Sequence, residues 1–335
     1  MESTIFQAAP NDHGRRLDRI LRKLLKGESL SYIYKSFREK KILVNGKPVA
    51  PDYHCQRGDI IKILIPIKGK LQAIEQEDDQ RREKMDMLAN IILRDTPDLL
   101  ILNKPRGMLA HDGKNSLDAL VQACYYHSHS EQSIVFKPGP LHRLDRNTSG
   151  IITFSQSIEG ARQFSAGMQR GSIKKTYLAI LDGSLTTPES WTDALARDKN
   201  QKITFSTKSF LNTALKSART DVWPLAYFGG FTFAAIQLFS GRTHQIRTHA
   251  SIHGHPLSGD RKYGSHTHLQ GYFLHAWMLD LQTIELFSNL GLVQAPLPKD
   301  FLLFLYKQLC LSEKEVYSLL QSFQEQGGVN AKHCF

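Results

Sequence analysis

The chain has little cysteine. Four thiols, Cys55, Cys124, Cys310 and Cys334, lie far apart and form no C-x-x-C pair. There is no disulfide framework to read, and reduced thiols in a cytoplasmic setting are expected. Long apolar runs are also missing. None approaches the ~18 residues that span a bilayer, so no membrane partner is expected. The opening Met1-Glu-Ser-Thr-Ile-Phe6 lacks a basic segment followed by an apolar one, which predicts no signal peptide. No dinucleotide-binding, P-loop or H-E-x-x-H pattern occurs, so neither a cofactor nor a metal is expected. Acidic residues are the minority charge, 32 against 43 basic, leaving a net charge of +11. That sign suits a polyanion such as nucleic acid, and an acidic membrane surface would also fit.

What is present is apolar material, 41% of 335 residues, sufficient for the cores of two domains. Residues 14–66 read as a small basic module. Leu17, Ile20, Leu21, Leu24 and Leu25 recur at helical spacing, with Arg15, Arg16, Arg19, Arg22, Lys23 and Lys26 on the other faces. A second helix is expected from about Ser31 on Leu30, Ile33 and Phe37, carrying Lys35, Arg38, Lys40 and Lys41. Ile42-Leu43-Val44 meeting Asn45-Gly46 and Lys47 signals a hairpin, and Ile60 to Ile65 a further strand. Cations outside and apolar residues inside make either a phosphate-tracking surface or a solvated basic face. Residues 67–87 mix charges without an apolar period and read as a mobile tether or an exposed helix.

A larger domain is expected over residues 88–310. Ile91 to Leu93 and Leu99 to Leu102 read as strands, Asn103-Lys104-Pro105-Arg106-Gly107 as a turn, and Ser116 as the cap of a short helix. Residues 127–140 read as a surface loop. The chain is organised around Leu141-His142-Arg143-Leu144-Asp145-Arg146-Asn147-Thr148-Ser149-Gly150, which precedes an apolar strand, Ile151 to Phe154. Asp145 stands between two arginines. Adjacent guanidinium charge favours an ionised carboxylate, fit to act as base or nucleophile; the plainer reading is a turn Asp in a surface ion pair. Ser157 and Gly171 bound a helix. In the strand Lys174 to Ile180, Tyr177 is either core or pocket. Residues 183–216 give no clear pattern, and strands are expected near Asp221 to Ala226 and Phe231 to Leu238. In Ser240-Gly241-Arg242-Thr243-His244-Gln245-Ile246-Arg247-Thr248-His249, a helix starts at Thr243 or Ser240 with Ile246, Ala250 and His253 inward. The histidines at 244, 249, 253 and 255 invite a zinc reading, against which stands the lack of a cysteine or acid at ligand spacing. Over 311–335 a helical extension is expected, opened by the capping box of Ser312 and Glu315.

Taken together, His142-Arg143-Leu144-Asp145 with its following Thr-Ser-Gly, Lys175-Thr176-Tyr177, and Gly241 to Arg247 resemble the hallmarks of the pseudouridine synthases of the large-ribosomal-subunit type. Lys104-Pro105-Arg106-Gly107 and Leu274-His275-Ala276 are lesser matches. Arg16-Leu17-Asp18, Tyr32 to Lys40, Val44-Asn45-Gly46-Lys47 and Gly58-Asp59 resemble an S4-type RNA-binding domain. The resemblance implies an α+β chain: a small helix–hairpin S4-like domain, then a catalytic domain with a mixed, mainly antiparallel sheet flanked by helices. It implies that Asp145 is the essential catalytic residue, that Tyr177 lines the base pocket, and that Arg247 pairs with Asp145, a match of guanidinium to carboxylate. His142, Arg143, Leu144, Thr148, Ser149, Gly150, Gly241, Arg242, His244, Gln245 and Ile246 belong to the pocket-forming motifs. The implied reaction, uridine to pseudouridine in RNA, imports no group, so it requires no cofactor or metal. Arg15, Arg16, Arg19, Lys35, Arg38, Lys40, Lys41 and Lys47 are the expected RNA contacts. The expected partner is RNA, large-subunit ribosomal RNA first and transfer RNA as the alternative, and a monomer is expected. Two other classes compete. A non-catalytic RNA binder is disfavoured by the joint presence of Asp145, Tyr177 and Arg247, and a nucleosidase by the basic charge.

Overall fold

The structure is a computed structural model that describes residues 3–25, 27–65, 78–128, 136–198, 203–206 and 216–326. Residues 67–77 of the expected tether, 129–135 of the expected loop, Cys334 and the end of the 311–335 extension lie outside the described residues.

The N-terminal module has strand β1 (Thr4–Gln7), helices α1 (Leu17–Leu24) and α2 (Leu30–Arg38), and strands β2 (Ile42–Val44), β3 (Lys47–Pro48) and β4 (Ile60–Ile63). Its antiparallel sheet runs β1-β4-β2-β3. The apolar stripe of α1 explains the packing: Leu17, Ile20, Leu21 and Leu25 share one core with Ile33, Phe37, Ile42, Val44, Ile61 and Ile63. Each such side chain, fully buried, contributes about 1.5–3 kcal/mol. Asn45 and Gly46 both adopt positive φ, as the two-residue hairpin requires. Helix α2 begins one residue earlier than expected because Ser29 caps it, accepting from the Tyr32 amide at 3.2 Å.

Within the stretch expected as a tether or an exposed helix, residues 78–87 are helical, part of helix α3 (Asp78–Ala89), and 82–87 are exposed. Then follow β5 (Ile92–Asp95), β6 (Leu99–Lys104), α4 (Leu117–Ser128), β7 (Gly139–Pro140), β8 (Ser149–Ser155), α5 (Ile158–Arg170), β9 (Lys174–Asp182), β10 (Glu189–Asp198), β11 (Ile203–Ser206), β12 (Lys216–Phe228), β13 (Phe231–Leu238), α6 (Gln245–Ile252), β14 (Leu274–Asp280), β15 (Leu292–Gln294), α7 (Lys299–Gln308) and α8 (Glu313–Glu325). The large sheet runs β11-β10-β12-β13-β9-β14-β8-β6-β5, with β15 beside β14 and β7 beside β8. Among the described residues its strand pairs are antiparallel except β14 with β8. The sheet is therefore mixed and mainly antiparallel.

Strand alternation divides the core into two layers. On β9, Tyr177, Ala179 and Leu181 face one cluster with residues of α4, α5 and α6. Leu178 and Ile180 face the other, with Phe301, Phe304 and Leu305 of α7 and Val316, Leu320 and Phe323 of α8. The helix opened by Ser312 thus covers the second face of the sheet. Ser157 caps α5 by accepting from the Gly160 amide, and Gly171 ends it with φ 70°.

The N-terminal module touches the large domain through Asn11. Its side-chain amide donates to the Gln156 carbonyl at 3.3 Å and accepts from the Ile158 amide at 3.2 Å, at the junction of β8 and α5. Among the described residues, no helix is long and apolar enough to cross a membrane.

Candidate active site

Asp145 lies in the loop between β7 and β8, on the wall of a cleft of about 770 Å³. The loop is braced from both sides. The Asp145 carbonyl accepts from the Thr148 amide at 3.1 Å. Lys104, at the end of β6, is fully buried, and its ammonium donates to the carbonyls of Pro105, Met108 and Arg146 at 3.1, 2.8 and 3.1 Å. Burial pushes the Lys104 ammonium down to about 8, while Asp145 opposes that fall. Gly150 has φ 99°, and a side chain there would lie on the Ala276 backbone, so the parallel contact of β8 with β14 demands glycine.

The remaining motif residues of this loop hold it in place. Ser149 Oγ is 2.9 Å from His275 Nδ1, and His275 Nε2 is 3.3 Å from the Ala295 carbonyl. A carbonyl only accepts, so Nε2 carries the proton and Nδ1 accepts from Ser149. Burial lowers His275 to about 4. His142 is likewise neutral, pushed by burial and then by Lys175 to about 3, and its Nε2 accepts from the Thr153 amide at 3.1 Å. Leu144 is buried in the core.

One feature of the loop differs from expectation. Arg143 and Arg146 flank Asp145 in sequence but form no ion pair with it. Arg146 stands in the turn that the Thr148 amide closes on the Asp145 carbonyl, and its Nε turns back to the Gly107 carbonyl at 3.2 Å. The charge on Asp145 is instead met from α6: Arg247 Nη1 donates to Asp145 Oδ2 at 3.1 Å. Asp260 holds the other edge of that guanidinium, accepting from Nε and Nη2 at 2.6 and 2.8 Å. The rings of Tyr263 and Tyr272 lie 4.7 and 4.6 Å from its central carbon. Burial works against the Arg247 charge, but its hydrogen bonds to Asp260 and the nearby acidic groups outweigh burial and raise its pKa.

Tyr177 faces the same cleft from β9. Burial, and then the charge of Asp145, raise its phenol pKa. Gly241, Arg242 and His244 line the cleft as well. Gln245 saturates its amide: Oε1 accepts from Ser240 Oγ and the Arg242 amide, and Nε2 donates to the Arg219 carbonyl and Thr220 Oγ1. Ile246 packs beneath in the core. The helix starts at Gln245 rather than near Thr243 or Ser240, with His244 as its cap residue at φ 55°. That conformation is strained for a non-glycine residue. It turns His244 Nε2 to 3.6 Å from Asp145 Oδ2 and Nδ1 to 2.8 Å from Tyr263 Oη.

His253 is not inward. It lies at the end of α6, 2.9 Å from Asp193 Oδ2 and stacked on Trp191, while His249 is the buried one of the pair. Among the described residues, no three His, Cys, Asp or Glu side chains form a metal-holding group.

The cations of the module divide. Arg16 is clamped by Asp18 at 3.2 and 2.9 Å, Arg15 is near Asp12, and Lys35 and Lys41 pair with Glu39. Arg19, Arg38, Lys40 and Lys47 are exposed and make no ion pair with a described residue.

Sequence reasoning missed two residues of this site, while Lys104, in a segment matched to the family, braces the loop. Tyr272 Oη donates to Asp145 Oδ2 at 3.3 Å, and Asp260 aims Arg247. Gly259-Asp260 was readable as a glycine turn, and a side chain at Gly259, φ 89°, would lie on the Gly271 carbonyl. That close approach brings Asp260 and Tyr272 together across the loop between them.

A family model described as RNA pseudouridylate synthase matches residues 98–251, and one for the S4 domain matches residues 15–61. The chain is 30% identical over 252 residues to ribosomal large subunit pseudouridine synthase D of Vibrio cholerae, covering 75% of this chain and 74% of that protein. It is 28% identical over 306 residues to an uncharacterised RNA pseudouridine synthase of Bacillus subtilis, covering 90% and 96%. Ribosomal large subunit pseudouridine synthase C of Escherichia coli is 27% identical over 284 residues, 81% of this chain and 86% of that protein. The fold is shared with the human RNA pseudouridylate synthase domain containing 4, at a TM-score of 0.56 and 20% identity, over 68% of this chain and 96% of that one. On the breadth of that similarity, the chain belongs to the RNA pseudouridine synthases, isomerases of RNA, and carries an S4 domain ahead of its catalytic sheet.

Proposed function

We propose that this chain isomerises uridine in large-subunit ribosomal RNA, with Asp145 as the catalytic carboxylate, Arg247 holding it and Tyr177 lining the base pocket. The observation that carries the reading is the Asp145 carboxylate, open to the cleft and fixed by a guanidinium that is itself fixed by Asp260. The N1–C1′ bond breaks, the uracil turns over, C5 bonds to C1′, and the C5 proton is released as N1 gains one. Nothing is oxidised or imported, so the proposal includes no cofactor or metal.

A stacked uridine cannot reach Asp145, and flipping it costs about a few kcal/mol. The cleft is of nucleotide-binding size. In this proposal the division of labour follows the chain. Residues 14–66 grip the RNA backbone through Arg19, Arg38, Lys40 and Lys47, 67–87 link, 88–310 do the chemistry, and 311–335 extend the helical cover. The protein works as a monomer in the cytoplasm. The kinship with large-subunit enzymes of Vibrio cholerae and Escherichia coli supports the choice of RNA.

Ribosomal and transfer RNA transcripts labelled with tritium at uracil C5 test the reading. Tritium release from the large-subunit transcript is expected, and release from transfer RNA alone would replace the substrate. Asp145→Asn with wild-type release would overturn the catalytic assignment.

A further inference from the structure

Asp145 is held through one oxygen. Arg247 Nη1 donates to Oδ2 at 3.1 Å, Tyr272 Oη donates to the same atom at 3.3 Å, and His244 Nε2 faces it at 3.6 Å. Oδ1 has no hydrogen-bond partner among the described residues.

Tyr272 is built for this contact. It is buried just before β14, its ring lies against the Arg247 guanidinium, and its oxygen is 3.4 Å from Thr148 Oγ1. A phenol has one hydrogen and a carboxylate only accepts, so that hydrogen goes to Asp145, and the Thr148 hydroxyl donates into the phenol oxygen. Burial and the charge of Asp145 raise the phenol pKa, so the hydrogen stays in place at neutral pH. The Gly259–Gly271 approach fixes the backbone one residue before both Asp260 and Tyr272.

We propose that Tyr272 is a positioning residue for Asp145: with Arg247 it ties down Oδ2 and leaves Oδ1 as the oxygen that meets the substrate. This rests on Asp145 being the catalytic carboxylate. Nucleophile and base alike use a lone pair on one oxygen, and a tether on the other fixes the angle of approach. Thr148, a motif residue, acts one step further out by orienting the phenol.

Tyr272→Phe keeps the ring against Arg247 and removes one hydrogen bond. The other groups around Asp145 stay in place: Arg247 and His244 facing Oδ2, and Lys104 and Tyr177 within electrostatic reach. Full-length wild type, Tyr272→Phe and Asp145→Asn are compared in single turnover on the transcript from which the wild type releases tritium. Rates are followed across pH, and RNA affinity is measured alongside. Tyr272→Phe is expected to react on the order of tenfold more slowly, the size of one charge-assisted hydrogen bond. Affinity stays unchanged, and the acid limb of the profile moves to higher pH because the carboxylate loses a donor that favours its charged form. A ring that only fills space would leave that limb unmoved. Tyr272→Phe with the wild-type rate and limb, beside an inactive Asp145→Asn, overturns the proposal. An active Asp145→Asn overturns the underlying reading instead.

Discussion

The two halves of the molecule use the same charged residue types in opposite ways. In the module, Arg19, Arg38, Lys40 and Lys47 are exposed and free of ion pairs with described residues. In the catalytic domain, Lys104 and Arg247 are buried and each donates three hydrogen bonds. An exposed cation is screened by salt and binds phosphate without demanding geometry. A buried one, cut off from water, fixes a neighbour's position. Binding should therefore respond to ionic strength, and chemistry to pH and to atomic detail.

The largest break in that comparison is Asp145→Asn. Turnover should fall by about a thousandfold or more, within the range for loss of an acid–base group, while RNA affinity holds. Loss of both would mean the two halves are not separable. Next comes acid. Burial holds folded His275 at about 4, below the ordinary histidine value of 6.5. Between these values the unfolded chain binds more protons, so stability rises with pH and is lost as pH falls through that window. The loss is about 3 kcal/mol at full extent. Denaturant unfolding at successive pH values should show it, and His275→Gln should flatten the slope.

Arg247→Lys keeps charge but cannot bridge Asp145 and Asp260 with a planar fork. We expect kcat to drop on the order of thirtyfold with little change in KM. An equal change in both would move Arg247 from aiming Asp145 to gripping substrate. The smallest effect is in the module. Replacing Arg19, Arg38, Lys40 and Lys47 by Ala should weaken RNA binding about tenfold, and flatten the log–log salt dependence by about 3 if each cation meets one phosphate of single-stranded RNA. The rate at saturating RNA should stay near wild type. An unchanged salt slope would place the RNA elsewhere.

Much of this was legible in the chain. The Asn45-Gly46 hairpin, the caps at Ser157 and Ser312 and the stop at Gly171 follow from local chemistry, and all appear. The Asp145 and Arg247 segments could be named from their resemblance to the family's motifs, and they meet. Strand β10 could not be read, because its ten residues lie toward the edge of the sheet and alternate weakly, with Trp191 and Leu195 as its buried anchors. Tyr272 and Asp260 were hidden for another reason. Their roles depend on a backbone approach between Gly259 and Gly271, which no local pattern announces. The flanking arginines misled because neighbours in sequence need not share a direction in space.

The Asn11 amide, bonded to both Gln156 and Ile158, has a consequence for substrate choice. While that clasp is closed, the separation between the exposed cations of the module and Asp145 is set by contact between folded parts, and the length of the connecting chain does not matter. Under the proposed division of labour the protein would act as a ruler, selecting an RNA that presents a uridine at one reach from where it is held.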